Sequence, residues 1–295
     1  MEVKGIILAA GRGSRMGSLT NDLPKCRTIL FGKELIQWQL DSLHNSGITK
    51  VAIIRGYLSE TFDFNVKYFD NKRWQYTNMV STLLAATDWL VSDTCIVSYS
   101  DIVYSTDVVN TLISKKGDIT ITYDPNWHDM WSMRFSDPLS DAETFKLRGN
   151  LVSEIGNKAN STGEIDGQYM GLIKITQDGW KSIQNYLTDF SDQDIDMMDM
   201  TTLLRGLIDS GINVYAVPIS DLWMEVDSES DLKIYEKEQT GAYNNKSDIM
   251  KEYAKDMGIK VPNIVFEHRA TPSGGKGFIL RYNEETEKFD RVQID

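Results

Sequence analysis

Apolar positions along the first two thirds of the chain follow two alternating rhythms. Short β-rich runs at Val3–Ala9, Val51–Arg55, 94–100 and 118–123 are nearly continuous in hydrophobic character, as strands buried on both faces are. Between them, residues 34–46, 79–90 and Thr106–Ser114 repeat apolar side chains every three to four positions, which predicts helices. Gly47 stands where a helix C-terminal glycine belongs. Strands spaced by helices imply parallel βαβ units with helices on both faces of a sheet.

Residues 127–166 break the rhythm. They hold several polar residues and glycines around Trp131-Ser-Met-Arg-Phe-Ser-Asp-Pro-Leu139, and are read as an inserted loop region with short strands, the insertion spanning about 124–170. Gln168–Ile175 returns to the sheet, 178–187 and 200–210 are helical, and 214–217 with 223–227 close the core. From 230 to about 258 the pattern is helical and charged, and 264–295 suits a hairpin or extended tail. The expectation is an α/β class protein with a mostly parallel mixed sheet. Residues 1–240 form the main domain, and 241–295 form a C-terminal segment without an assigned role.

Composition narrows the function. The 295 residues are 41% hydrophobic and 25% charged, ordinary for a globular protein with a sizeable core. A net charge of -12 argues against a surface that coats nucleic acid, so no nucleic-acid partner is expected. The first 33 residues run the other way, with Lys4, Arg12, Arg15, Lys25, Arg27 and Lys33 against Glu2 and Asp22. A basic edge on an acidic protein suits a small anionic ligand. Cys26 and Cys95 do not make a disulfide framework, and no apolar stretch reaches membrane-spanning length. A cytoplasmic protein without a membrane span is expected, with a homo-oligomer left open.

The strand Val3–Ala9 runs into Leu8-Ala9-Ala10-Gly11-Arg12-Gly13-Ser14-Arg15-Met16, a turn that presents several backbone N–H groups at one spot. Such an array binds phosphate oxygens, and Arg12, Arg15 and Lys25 add charge suited to a triphosphate. The plain alternative is a glycine turn that only joins strand to helix. The glycine spacing is not the dinucleotide fingerprint, no acid ends the next strand at Arg55-Gly56-Tyr57, and no Gly-Lys-Ser/Thr is present for a Walker-type loop.

The loop followed by Pro24-Lys25 resembles the nucleotidyltransferases of the sugar-phosphate and phosphocholine type, which share a GT-A-like, Rossmann-like fold. Leu35-Ile-Gln-Trp-Gln-Leu40, Gly47-Ile48 with the strand ending at Tyr57, and Trp223-Met-Glu-Val-Asp-Ser228 continue the resemblance over roughly residues 3–240. It implies a nucleotide site at Leu8 to Arg15 with Tyr57, and catalytic roles for Lys25 and Arg15. The segment Asn78-Met-Val-Ser81 is similar to that of the phosphocholine cytidylyltransferases. This implies CTP, with Asn78 and Ser81 at the base; Asn78 as a helix cap is compatible with that.

Two aspartates are candidate magnesium ligands. Asp101 follows an apolar strand at its C-terminal end, where open α/β sheets bind ligands, and Asp227 ends the 223–227 segment. Helix capping is the alternative for both; Ser228 and Asp231 are available to cap after Asp227. Many relatives show a second acid beside the first site, whereas this chain has Asp101-Ile102. Asp107 is read as a cap, and 189–199 as a solvated acidic connection.

The acceptor is expected under the 127–170 region, with Trp131, Arg134, Lys158, Gln168 and Tyr169 as its contacts. Trp127 and Trp131 offer aromatic faces for a quaternary amine; a small satellite core is the alternative. The stretch from Arg134 to Leu139, Glu154-Ile-Gly with Lys158, and Gly167-Gln-Tyr-Met-Gly-Leu172 resemble cytidylyltransferases of cell-surface biosynthesis acting on phospho-amino acids, phosphonates or related small phosphates. The expected partners are CTP and such an acceptor. Other readings are a sugar-1-phosphate nucleotidyltransferase using UTP or GTP, a silent nucleotide-binding subunit, and a metal-dependent glycosyltransferase.

Overall fold

The computed structural model describes residues 2–219 and 223–241, with side chains to Tyr235, and three later strands. The first half holds β1 (Val3–Ala9), β2 (Ile29–Leu30), β3 (Lys33–Glu34), α1 (Leu35–Asn45), β4 (Val51–Arg55), β5 (Lys67–Asp70), α2 (Met79–Leu84), α3 (Thr87–Ser92), β6 (Thr94–Tyr99), β7 (Ile102–Tyr104) and α4 (Thr106–Ser114). Then come β8 (Ile119–Asp124), α5 (Trp127–Arg134), β9 (Glu143–Arg148), β10 (Leu151–Lys158), β11 (Gln168–Ile175), α6 (Gln177–Leu187), α7 (Asp192–Met197), α8 (Met200–Asp209), β12 (Tyr215–Pro218), β13 (Trp223–Glu225) and α9 (Glu229–Gly241). The strands β14 (Phe266–His268), β15 (Phe278–Asn283) and β16 (Lys288–Gln293) follow.

Among the described residues nine strands form one sheet, in the order β5-β4-β1-β6-β11-β8-β12-β10-β9. β5, β4, β1 and β6 run parallel, and β12 runs parallel to β8. β11 is antiparallel to β6 and β8, and β10 to β12 and β9, so the sheet is mixed. Successive side chains of β1 point to opposite faces. Ile6 and Leu8 join a core with Val80 of α2, Leu90 of α3, Trp180 of α6 and Leu203 of α8. Ile7 and Ala9 join a second core with Ile36 and Leu40 of α1 and Val108 and Leu112 of α4. Both faces are covered by helices, which is why these strands read as unbroken apolar runs.

The chain steps from β1 outward to β4 and β5, then returns to β6 on the other side of β1. The switch point therefore lies between β1 and β6, and their C-terminal ends open a crevice there. α1 ends as Gly47 takes a left-handed backbone at φ 87, with Ile48 N–H donating to Leu43.

Three expectations are corrected. The helix expected over 79–90 is two helices, because the N–H groups of Ala85 and Ala86 reach back three residues and tighten the turn. Residues 127–166 hold helix α5 and the hairpin β9–β10, which extends the main sheet at its edge. Phe145, Val152 and Ile155 from that hairpin are in the same core as β1. Residues 223–227 do not join the main sheet. β13 pairs antiparallel with β7 in a separate two-stranded ribbon, with Glu225 opposite Ile102.

Chain contacts divide the protein into Met1–Asp231 and Leu232–Asp295. The second unit holds the later part of α9 and an antiparallel sheet in the order β14-β15-β16. The tail read as a hairpin thus contains three paired strands. The helical pattern expected beyond Gly241 lies outside the described residues.

Candidate active site

β1 delivers Leu8 and Ala9 as buried residues, Ala10 just beyond it is buried too, and Gly11, Arg12, Ser14 and Arg15 are exposed on the loop that follows. Gly13 has φ 70, and a Cβ there would lie 2.6 Å from the Cβ of Lys25. A side chain at this position would thus be strained and would also strike the lysine stem. Lys25 begins a short helical turn after Pro24, whose φ of -67 suits that entry. Tyr57 braces the loop from behind. Its N–H donates to Ala10 O at 2.9 Å, its hydroxyl donates to Thr20 O at 2.8 Å, and Arg12 lies over its ring.

The lysine ends between two carboxylates. Its Nζ donates to Asp101 Oδ2 at 2.8 Å and to Asp227 Oδ1 at 2.7 Å. Asp101 sits in the turn between β6 and β7, which the buried Gln39 of α1 holds by donating to Tyr99 O at 2.9 Å and to Ile102 O. Asp227 is brought alongside by the β7–β13 ribbon, with Val226 N–H donating to Asp101 O at 2.9 Å. The two aspartates are 126 positions apart by number and share one lysine nitrogen.

Neither aspartate caps a helix with its carboxylate. At the start of α9, Asp231 Oδ2 accepts from the N–H groups of Asp227 and Ser228, and Asp231 N–H donates to Ser228 Oγ. Asp227 is left to three cations: Lys25, Arg15 at 3.2 Å and Arg134 at 3.4 Å. Asp101 Oδ1 is buried without a hydrogen-bond partner among the described residues. Burial disfavours the charged lysine, but Asp101 and Asp227 outweigh it and raise its pKa above the usual value. Burial likewise works against ionised Asp227, yet Lys25, Arg15 and Arg134 hold its pKa below the usual range.

The residues assigned to the acceptor are placed differently. Arg134 is not free for a ligand: its side chain is 0% exposed and donates to Glu225 at 2.5 Å and to Asp231 at 2.9 Å. Trp131 is buried in a cluster with Trp127 and Trp223, and its Nε1 donates to Asp141 at 3.2 Å. These tryptophans belong to the core that Ile7 and Ala9 share with α1 and α4, and do not form an open aromatic box. The Gln168 amide is occupied by the backbone of Glu143 in both directions. Tyr169 packs edge-on against Tyr99, and burial pushes both phenols well above their usual range. Lys158 is exposed on β10 and makes no ion pair among the described residues.

Asn78 and Ser81 fasten α2 to the segment around α7. Asn78 Oδ1 accepts from Met79 N–H at 2.8 Å, its own N–H donates to Asp196 O at 2.7 Å, and Ser81 Oγ donates to Asp196 at 2.9 Å. Arg73 grips the same Asp196 carboxylate with both of its terminal nitrogens. The run read as a solvated acidic connection is therefore built into the fold: Asp194 completes a capping box on α7 and Asp199 caps α8. Ser105, not Asp107, supplies the side-chain cap of α4.

Sequence reasoning missed Glu225 and Gln39. Glu225 lies two residues from Asp227 on the strand leading to it, so the period of two was an available signal. Burial, and then Asp227, push the Glu225 carboxyl up to about 7 against the pull of Arg134. Nothing local to Gln39 reveals that it supports the turn carrying Asp101.

Residues 5–140 match the family of MobA-like NTP transferase domains. CTP:phosphoglutamine cytidylyltransferase of Campylobacter jejuni is 36% identical over 250 residues, covering 79% of this chain and 98% of that protein. Choline-phosphate cytidylyltransferase of Streptococcus pneumoniae is 40% identical over a shorter span, 28% of this chain and 38% of that one. The solved inositol-1-phosphate CTP transferase from T. maritima has the same fold, with a TM-score of 0.63 at 20% identity over 82% of this chain and 98% of that one. With near-complete coverage of the C. jejuni relative, the chain belongs to the cytidylyltransferase family of nucleotidyltransferases.

Proposed function

We propose that the protein transfers CMP from CTP to a small phosphorylated or phosphonate acceptor, in the biosynthesis of a cell-surface component. The observation that carries this reading is Lys25, buried under the glycine loop and joined to Asp101 and Asp227. An acceptor oxygen attacks the α-phosphorus of CTP, the bond to the β-phosphate oxygen breaks, and pyrophosphate leaves. The attacking oxygen is already ionised at neutral pH, so no general base is needed. Catalysis is then positioning and charge neutralisation, supplied by the loop N–H groups, Arg15 and Lys25.

Asp101 and Asp227 are the groups that would hold Mg²⁺. Two carboxylates, one with a buried oxygen still open to a partner, fit a hard cation that takes its other ligands from phosphates and water. Bound there, the ion would offset charge developing on the leaving pyrophosphate. Among the described residues no larger cluster of acids, histidines or cysteines competes for that role. The base lies against the backbone of Leu8 to Gly11 and the start of α2, which Asn78 and Ser81 stabilise.

Phosphoglutamine and choline-phosphate, named for the C. jejuni and S. pneumoniae relatives, set the acceptor classes to try, with phospho-amino acids and phosphonates preferred. Two free, buried cysteines suit a reducing, cytoplasmic setting. Among the described residues no helix is long and apolar enough to cross a membrane. The test is pyrophosphate release across CTP, UTP, GTP and ATP with phospho-amino acid, aminoalkylphosphonate and phosphocholine acceptors. Turnover is expected with CTP; release with UTP or GTP and a sugar 1-phosphate alone would overturn the reading. Lys25→Ala and Asp227→Asn are each expected to cut kcat by about 10²–10³-fold.

A further inference from the structure

The Lys25 ammonium stands where a cation shared by Asp101 and Asp227 must stand. It lies 2.8 Å from one carboxylate and 2.7 Å from the other, and the residue is 7% exposed. The stem is confined too, since Gly13 leaves room for it that a Cβ would take away. A magnesium ion contacts oxygens at about 2.0–2.1 Å, closer than an ammonium does. The two cations cannot occupy the gap together.

We propose that Lys25 is a built-in counter-cation that closes the metal site to free divalent ions until a nucleotide arrives. This rests on Asp101 and Asp227 being the metal ligands. When the lysine leaves, Asp227 keeps Arg15 and Arg134, but Asp101 makes no other ion pair among the described residues. Departure of the lysine alone strands a half-buried carboxylate, and arrival of a metal alone sets a dication against a trapped ammonium. Both routes are costly. A metal–triphosphate complex avoids both, because its phosphates give the lysine a new anionic partner while its ion replaces the ammonium on Asp101. The pair of aspartates therefore exchanges one cation for the other in a single event. Metal binding is thereby coupled to nucleotide binding without a moving domain.

The prediction is a change in nucleotide-free metal affinity, read on the full chain with Mn²⁺ as the probe. Ultrafiltration without nucleotide should show weak Mn²⁺ retention by the wild-type protein. Lys25→Met, nearly isosteric and uncharged, should tighten retention by about 10²–10³-fold, the size expected when an uncompensated buried carboxylate regains a cation. Mn²⁺ should also raise the melting temperature of Lys25→Met and not that of wild type. Lys25→Gln serves as a second neutral variant, and adding Asp227→Asn to either should remove the gain. Equal Mn²⁺ affinity in wild type and both neutral variants would overturn the gate. Full CTP turnover by Asp227→Asn would instead overturn the metal site itself, and the gate with it.

Discussion

Arg15 and Arg134 reach the same carboxylate of Asp227 from two different regions, the loop after β1 and helix α5. The Arg15 side chain is 68% exposed, and the Arg134 side chain is 0% exposed. Among the described residues Arg15 pairs with Asp227 alone and has donor capacity to spare, so it can meet a phosphate. Arg134 spends its fork on Glu225, Asp227 and Asp231, and so holds three like charges together. The same side chain is thus exposed and open to a ligand in one region and an internal strut in the other. Burial makes the difference, since a buried guanidinium must satisfy its donors within the protein.

The contrast breaks first at Arg134. Arg134→Ala removes the buried cation shared by Glu225 and Asp231 and leaves Asp227 to Lys25 and Arg15, and is expected to cost about 3–5 kcal/mol of stability, seen as a lower midpoint in urea. Arg15→Ala should leave that midpoint within about 0.5 kcal/mol and raise the KM for CTP by about 10-fold. A stable Arg134→Ala protein with only its acceptor KM raised would restore the acceptor assignment.

Gly13→Ala tests whether the loop and the lysine form one device. The methyl group meets the Lys25 stem at 2.6 Å on a backbone with φ 70. A loss of about 1–3 kcal/mol of stability is expected, with kcat falling by about 10-fold or more as Lys25 is displaced. Unchanged steady-state kinetics would show that the lysine does not depend on this glycine.

In the 127–170 region the comparison sharpens at two residues. Trp131→Ala removes a buried ring and should cost about 3–5 kcal/mol in the same urea titration. Lys158→Ala should leave stability unchanged and alter only acceptor KM, by about 10-fold if the ammonium meets the acceptor phosphate. No kinetic change would remove the last exposed member of that set.

The smallest effect is electrostatic. Hydrogen bonds from Arg73 and then Ser81 hold the Asp196 carboxyl below its ordinary range. A lowered folded-state pKa means that the contribution is complete above the unfolded value near pH 4 and fades as pH falls through the lower folded value. Asp196→Asn should therefore melt about 1–2 °C below wild type at pH 7, and the gap should close in acid, below the lowered folded-state value. A gap that persists in acid would assign the effect to packing.

The strand–helix alternation and the glycine loop were legible because each depends on local rules. Val3–Ala9 reads as a strand since both faces are covered, and Gly13 reads as a turn since only glycine fits a left-handed position over a lysine. The break at Ala85 was not legible, because nothing in 79–90 contradicts the helical period. Residues 127–166 misled because tryptophan and arginine are as useful in a packed core as in a binding pocket.

From sequence alone came the class of fold, the glycine loop after the first strand and four residues, Arg15, Lys25, Asp101 and Asp227, that the structure brings together. Which cation meets which carboxylate was decided by tertiary structure. The β7–β13 ribbon sets Asp227 beside Asp101, and Gln39 fixes the turn that carries Asp101. Arg134 is turned inward from a segment whose residue types suit a ligand equally well. Local patterns record backbone conformation and amphipathic period, whereas the pairing of charges distant in sequence is an energy of the assembled fold. For that reason the glycine loop could be read in the chain, and the lysine paired with two aspartates beneath it only in the structure.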